Sequence, residues 1–263
     1  MKVHFADMGC FNNADALINT GVKYTLQTFH QIHKAKYKLS FDFEYLNQFR
    51  HLIIDSGLFS IMFGCDKNVV FDSVFAEKWQ FDYIQWIKTS RFKNASFVEL
   101  DVQKKLGPDY AWDLRYRLRA ELPDTQIINV YHLEDGNPDK LIEYANYIAV
   151  SIPELRFNVS RKELLSITNY ITSKAVSKGK KVHLLGCTDL KLMKQFDFCY
   201  SCDSTSWMAG SRFGVFKSKI TGPLHVDVAR DTFGKRGRNK LHAIAYCAGI
   251  MLEEYRKYAG DQS

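Results

Sequence analysis

Three aspartates in this chain each follow a short apolar run. HLIIDSG places Asp55 after Leu52, Ile53 and Ile54; SFVELD places Asp101 after Phe97, Val98 and Leu100. FCYSCDSTSW, Phe198 to Trp207, ends an apolar and aromatic run at Asp203 and continues into Ser204, Thr205 and Ser206. Taken singly, an aspartate at a strand end is most often a turn former or a helix N-cap. Three of them on alternating strand and helix patterns carry more weight, because the C-terminal ends of parallel strands are where such folds assemble their sites. Two carboxylates facing one another across a sugar can exchange the group on its anomeric carbon. One attacks to form a covalent glycosyl ester; the other protonates the departing base and deprotonates the incoming one. A third carboxylate can read the edge of a base. The same three groups could instead hold Mg²⁺ and activate water, as in a nuclease or hydrolytic N-glycosylase.

The elements that must position these residues follow from hydrophobic patterning. Short β-branched or aromatic runs alternate with helical patterns over the first two hundred residues, which predicts βα units and a parallel sheet. The predicted strands are Val3 to Asp7, Lys23 to Phe29, the HLIID run, the SFVEL run, Thr125 to His132, Tyr147 to Ser151, Lys181 to Gly186 and Phe198 to Asp203. Helices are predicted over Asn12 to Asn19, Phe41 to Phe49, Ser73 to Thr89 (after a long loop), Ala111 to Leu122, Pro138 to Asn146, Arg161 to Ser177 and Asp189 to Gln195. Eight strands fit a single α/β domain of the (β/α)8 TIM-barrel type, with the aspartates at the mouth of strands three, four and eight. KYTLQTF (Lys23 to Phe29) is the ambiguous run: if it is helical, the barrel lacks a strand and an open doubly wound sheet replaces it. The barrel would occupy residues 1–210 or so, followed by a basic segment and a terminal helix over residues 211–263. That last helix, Asn239 to Tyr258, carries Leu241, Ile244, Ala245, Ala248 and Leu252 on one face, suited to packing on the outside of the barrel.

The net charge of +7 is concentrated. Arg212, Lys217, Lys219, Arg230, Lys235, Arg236, Arg238 and Lys240 lie within one stretch that holds only Asp227 and Asp231 as acids. Such a stretch, with glycines in FGKRGRNK, suits a flexible segment that grips phosphates and points to a polyanionic partner. Six cysteines in 263 residues read as reduced, buried thiols. Cys199 and Cys202 form a CxxC, but within a strand they would face opposite ways and no second ligand pair accompanies them, so no metal site is expected. No run reaches the 18 or so apolar residues of a membrane span, and MKVHFADMG lacks the zones of a signal peptide, so a cytoplasmic protein without a membrane partner is expected. No glycine-rich phosphate loop appears, which argues against an ATPase or dehydrogenase. Trp207 and Tyr200 are open to roles as wedges or stacking platforms, packing being the commoner role for such aromatics.

In DSGLFS (Asp55 to Ser60) the chain resembles the DSGG(F/Y)Q motif of the tRNA-guanine transglycosylase superfamily, (β/α)8 barrels that exchange guanine in nucleic acid for a 7-deazaguanine. FVELD resembles the family strand that ends in a base-reading aspartate, HLLGCTDL (His183 to Leu190) its LMGVGxPxDL stretch, and FDFCYSCD the strand that ends in its nucleophile. These stand in the family's order between Asp55 and Asp203, more than half of the chain. The resemblance implies Asp203 as nucleophile on C1′ and Asp55 as general acid and base. It further implies Asp101 as acceptor for the guanine N1 and N2 edge, Phe59 and Leu185 as the sandwich around the base, and Ser151 and Gly186 beside it. Tyr131 or His132 falls where the family uses a glutamine, although NVYH lacks the family's QGG.

The chain also departs from the pattern. The tRNA enzymes carry a C-terminal zinc site built from CxCxxC and a distal histidine, whereas beyond Asp203 only Cys247 remains. This combination resembles the branch encoded by bacteriophages, the DpdA-like enzymes that place 7-deazaguanines such as preQ0 into DNA. The resemblance therefore implies DNA as polymer, a free 7-deazaguanine base as second substrate, no cofactor, a homodimer as in relatives, and a host-cytoplasmic location. Guanine exchange in tRNA, in the queuosine or archaeosine pathway, is the alternative the motifs leave open. A barrel that only binds nucleic acid is another.

Overall fold

The apolar runs become eight strands that close in chain order into a barrel, each strand parallel to both neighbours. The computed structural model describes residues 1–6, 11–33, 46–63, 70–208, 215–218, 222–225, 238–260 and 262. The strands are β1 (Lys2–Ala6), β2 (Tyr24–Thr28), β3 (His51–Asp55), β4 (Ala95–Val98), β5 (Ile127–Tyr131), β6 (Tyr147–Ser151), β7 (Lys181–Leu185) and β8 (Ser201–Ser204). KYTLQTF is a strand through Thr28, which gives the barrel its second stave and excludes the open sheet. The closing seam runs from Lys2 opposite Ser201 to Phe5 opposite Ser204.

Between the strands lie α1 (Phe11–Asn19), α2 (Phe29–His33), α3 (Leu58–Phe63), α4 (Ser73–Thr89), α5 (Gln103–Leu106), α6 (Pro108–Glu121), α7 (Asp139–Tyr144), α8 (Ile152–Asn158), α9 (Arg161–Ser177) and α10 (Leu190–Gln195). The longer ones start on local chemistry that the sequence displays. Asp72 accepts the Phe75 N–H at the head of α4, and Ser160 and Glu163 form a reciprocal capping box at α9. Gly107, at φ +85°, turns the chain so that Pro108 can open α6. Helix α4 then buries Ala76, Trp79, Gln80, Tyr83, Ile84 and Ile87, a stripe at helical spacing.

Several boundaries differ from the sequence expectation. Helix α3 follows β3 almost at once, where a long loop is expected, and α8, with Pro153 in its first turn, is an additional helix. The eighth strand begins at Ser201 rather than Phe198, because the Cys199 N–H turns back to the Phe196 carbonyl and leaves Phe198 half exposed. Cys199 therefore sits outside the strand, and it and Cys202 are buried in the same outer core instead of facing opposite ways. Burial pushes the Cys199 thiol up to about 12, and both thiols pack within that core. Trp207 is fully buried, with its indole N–H on the Ala6 carbonyl at 2.7 Å, and Tyr200 lies among the lumen-filling side chains beside Lys2 and Lys181; neither is a wedge at the mouth.

Beyond the barrel, β9 (Val215–Ser218) and β10 (Gly222–His225) pair antiparallel, and α11 (Arg238–Ala259) returns to cover β1, α1 and α10. Ile244, Ala248 and Leu252 are buried there, with Ala245 partly buried, as the apolar spacing predicts; the Leu241 side chain lies outside those described. The chain ends meet: Gln262 accepts the Val3 N–H at 2.8 Å and donates to the Met1 carbonyl at 2.9 Å. Of the predicted phosphate-gripping residues, Arg212, Lys219, Arg230, Lys235 and Arg236 lie outside the described residues, as does most of the Phe41 to Phe49 helix. Lys217 has its backbone in β9, and Arg238 and Lys240 have theirs in α11.

Alternation along the strands sorts side chains into two cores. Ala6, Leu26, Ile53, Val98, Ile128, Val130, Tyr147 and Ala149 form one cluster that fills the lumen. The intervening residues face the helices, and there a buried ionic network spans β4, β5 and α6. Arg115 donates to Glu99 at 2.8 Å, to Asp135 at 3.1 Å and to the Val130 carbonyl at 2.8 Å. Glu99 also accepts the Val130 N–H and the Asn129 amide. Burial pushes the Glu99 carboxyl up despite these donors, so the network holds only while Arg115 is present. Arg115→Ala is expected to destabilise the fold by about 3–5 kcal/mol, the cost of leaving buried partners of an ion pair uncompensated, read as a lowered denaturant midpoint at unchanged slope.

Candidate active site

The β3, β4 and β8 carboxylates share the C-terminal mouth of the barrel, and each is held differently. Asp55 is the last residue of β3, and its Oδ1 accepts the Gly57 N–H at 2.6 Å. Gly57 sits at φ +75°, and a β-carbon there would meet the His30 β-carbon at 2.3 Å, so only glycine can turn its N–H back onto the aspartate. Helix α4 rivets the same segment: the Tyr83 hydroxyl donates to the Ile54 carbonyl at 2.9 Å and the Trp79 indole to the Ser56 carbonyl at 3.1 Å. Burial, then the negative charges of Asp101 and Asp203, push the Asp55 carboxyl up to about 7 against the relief from the Gly57 N–H. A carboxyl balanced near neutrality can give and take a proton at working pH.

Asp101 lies three residues beyond the end of β4, at the head of the segment leading into α5, and is largely buried. Its Oδ2 stands 3.5 Å from His132 Nε2, while His132 Nδ1 is 2.7 Å from Glu154 Oε2. Burial disfavours charge on this imidazole, but Asp101 and Glu154 outweigh it and raise His132 to about 10, so it is a cation at neutral pH. The ionic network behind β5 orients it, because the His132 backbone N–H donates to Asp135 at 3.0 Å and Asp135 is held in turn by Arg115 and Gln103. Of the two residues proposed for the family's glutamine, the structure brings His132 to the mouth. Tyr131 faces the outer core, with its hydroxyl on the Gly136 carbonyl.

Asp203 is mostly buried within β8, and its Oδ1 accepts two hydrogen bonds, from Gly186 N–H at 2.7 Å and from His183 Nε2 at 3.0 Å. Gly186 has φ +63°, and a β-carbon there would meet Pro153 at 2.7 Å, so the turn after β7 again needs glycine. Leu185 ends β7 opposite Ser151 on β6, its side chain on the lumen cluster. Ser151 starts α8 without capping it. Phe59 lies on α3, its side chain outside those described.

Glu154 and His183 are the site residues that sequence reasoning missed. The periodicity of β7 marks His183 as a lumen residue two before Leu185, but nothing in its spacing ties it to Asp203; Glu154 has no sequence signal. Ligand atoms of His132, Glu134 and Glu154 all lie within 4.8 Å of one another, the one such group among the described residues. No protein-family model matches the chain, and no curated protein does.

The charge on Asp55 has a consequence for stability. Its folded value lies above the ordinary 3.8, so folding takes up a proton between about pH 4 and 7 and the native state loses stability as pH rises through that window. Asp55→Asn is expected to melt above the wild type at pH 8, by up to on the order of 4 kcal/mol, with the gap closing near pH 4 in paired thermal scans.

Proposed function

We propose that this chain is a base-exchange transglycosylase that replaces guanine in DNA with a 7-deazaguanine, preQ0 or a relative, as a bacteriophage genome modification. The observation that carries the reading is the division of labour among three carboxylates at one barrel mouth: Asp55 near neutrality, Asp101 paired with a cation, and Asp203 fixed by two donors. The motifs around these residues, in the order of the tRNA-guanine transglycosylase superfamily, support the choice of chemistry, and the lack of its zinc-binding pattern favours DNA over tRNA.

In this mechanism the target nucleotide is flipped from the duplex, at a cost of a few kcal/mol in unstacking, and its base lies between Phe59 and Leu185. Asp101 accepts from the guanine N1 and N2 edge. His132 Nε2, 3.5 Å from Asp101, is placed to offer its N–H to a neighbouring carbonyl such as O6. Asp203 attacks C1′, the bond to N9 breaks with its electron pair on the base, and protonated Asp55 supplies the proton. The incoming base then gives its proton to Asp55 and displaces the ester. Ser151 and Gly186 border the base, and the basic residues from Arg212 to Lys240 hold flanking phosphates. One N-glycosidic bond replaces another, so no redox or nucleotide cofactor takes part.

A second reading, metal-dependent hydrolysis, has one observation in its favour, the His132, Glu134 and Glu154 group. There the ion would have to displace the proton that His132 shares with Glu154.

The test is incubation of the protein with guanine-labelled DNA, and separately with labelled tRNA, plus preQ0, in EDTA. Guanine release from DNA with a deazaguanine nucleoside in the digest, abolished by Asp203→Ala, is expected. Release from tRNA alone would move the polymer, and activity lost in EDTA but restored by Mg²⁺ would favour hydrolysis. In a single turnover, guanine release should fall as pH rises through about 7, because the first step consumes the protonated form of Asp55.

A further inference from the structure

Asp203 is the outer end of a hydrogen-bonded column that descends through the lumen. Below it, His183 Nδ1 lies 2.7 Å from Ser201 Oγ, and Ser201 Oγ lies 2.5 Å from the Tyr147 hydroxyl. His183, Ser201 and Tyr147 have no exposed surface, and the resemblance assigns a role to none of the three. For a neutral imidazole the directions have one solution. A carboxylate can only accept, so Nε2 of His183 carries the hydrogen and Nδ1 must accept. Ser201 then spends its single hydrogen on His183 and has to receive one from Tyr147. Burial pushes the Tyr147 phenol up, which keeps that hydrogen in place. The column therefore starts in the Tyr147 hydroxyl and ends in a donor aimed at Asp203.

Both hydrogen bonds that the Asp203 side chain makes among the described residues fall on Oδ1. This leaves Oδ2 as the oxygen for C1′. We infer that His183 is the positioning residue of the exchange reaction, locked in its Nε2–H tautomer by Ser201 and Tyr147, and that with Gly186 it forms a two-donor cradle for Asp203 Oδ1. The inference rests on Asp203 being the nucleophile. In the first step Oδ2 bonds to C1′ as the bond to the departing base breaks, and Oδ1 becomes the ester carbonyl oxygen. In the second step the incoming base takes C1′, the Oδ2–C1′ bond breaks, and its electron pair returns to the carboxylate. The cradle is complementary to that returning charge, as an oxyanion hole is, so it speeds release of the glycosyl group. Sterics add a reason for the pairing: Gly186 can place its N–H on Oδ1 because it follows directly on β7, the strand that carries His183 two residues earlier.

The experiment compares wild type, His183→Phe, His183→Gln, Tyr147→Phe and Asp203→Ala, all checked for folding by circular dichroism. It reads kcat, KM for the free base, and the amount of covalent glycosyl-enzyme in denaturing gels. His183→Phe should lower kcat by on the order of 100-fold, the usual loss of one such donor, with KM little changed and more trapped adduct. His183→Gln, which restores an N–H at the same reach, should recover part of kcat. Imidazole ¹⁵N spectra of the free protein should show His183 with hydrogen on Nε2 and a resonance that moves in Tyr147→Phe and Asp203→Ala. Hydrogen on Nδ1, or a folded His183→Phe with wild-type kcat and adduct, would overturn the inference while leaving Asp203 as nucleophile. Exchange that survives Asp203→Ala would remove the nucleophile assignment itself and the cradle's role with it.

Discussion

Like charges at one barrel mouth cannot all stay ionised without compensation, and the arrangement around Asp55, Asp101 and Asp203 supplies three kinds. Asp55 is left with burial and two negative neighbours, and takes a proton near pH 7. Asp101 faces the His132 cation, itself stabilised by Glu154. Asp203 receives N–H donors from His183 and Gly186. Environments this different give chemically identical groups different protonation behaviour, as the proposed division into acid, reader and nucleophile requires.

Holding such a mouth together costs stability locally, and the compensation sits behind it. The Arg115 network ties β4, β5 and α6 together from the helix side, and through Asp135 it also fixes the backbone from which His132 projects. Tyr83 and Trp79 tie the segment after β3 to α4. Two glycines in the left-handed region, Gly57 and Gly186, bring backbone donors to side chains that no other residue type could serve without a clash. The lumen below is only partly apolar. Its second polar chain runs from His4 Nε2 to His51 Nδ1 at 2.9 Å and from His51 Nε2 to Ser96 at 3.1 Å. Burial, ahead of neighbouring positive groups, lowers both histidines, so this chain is neutral and serves packing and direction rather than charge.

Much of the barrel was legible in the order of the residues. Apolar runs such as HLIID and YIAVS are strands buried up to their last residue, and β-branched residues with short spacers leave a parallel βα alternation as the economical arrangement. The N-caps at Asp72 and Ser160, and the glycine and proline at the head of α6, act locally and could be seen locally. Even the ambiguous KYTLQTF had Tyr24, Thr25 and Thr28 in its favour. Where the reading slipped, at Phe198, α3 and α8, the competition was between a short apolar run and a turn whose hydrogen bonds involve only nearby backbone. Side-chain pattern says little about that choice.

The sequence by itself determined the eightfold βα pattern, the positions of the three aspartates at or just beyond strand ends and the glycine two residues after Asp55, because these depend on periodicity and on backbone conformations that few residues adopt. Which groups would meet was decided only by closing the barrel. His132 finds Glu154 across twenty-odd residues of intervening chain, Arg115 finds Glu99 and Asp135, and His183 finds Asp203 only because β7 and β8 are neighbours in a register that sets His183 opposite Ser201. The charge states follow from those meetings. Desolvation and Coulomb interaction act through space, so the proton on Asp55 and the cation at His132 have no counterpart in any local stretch of the chain.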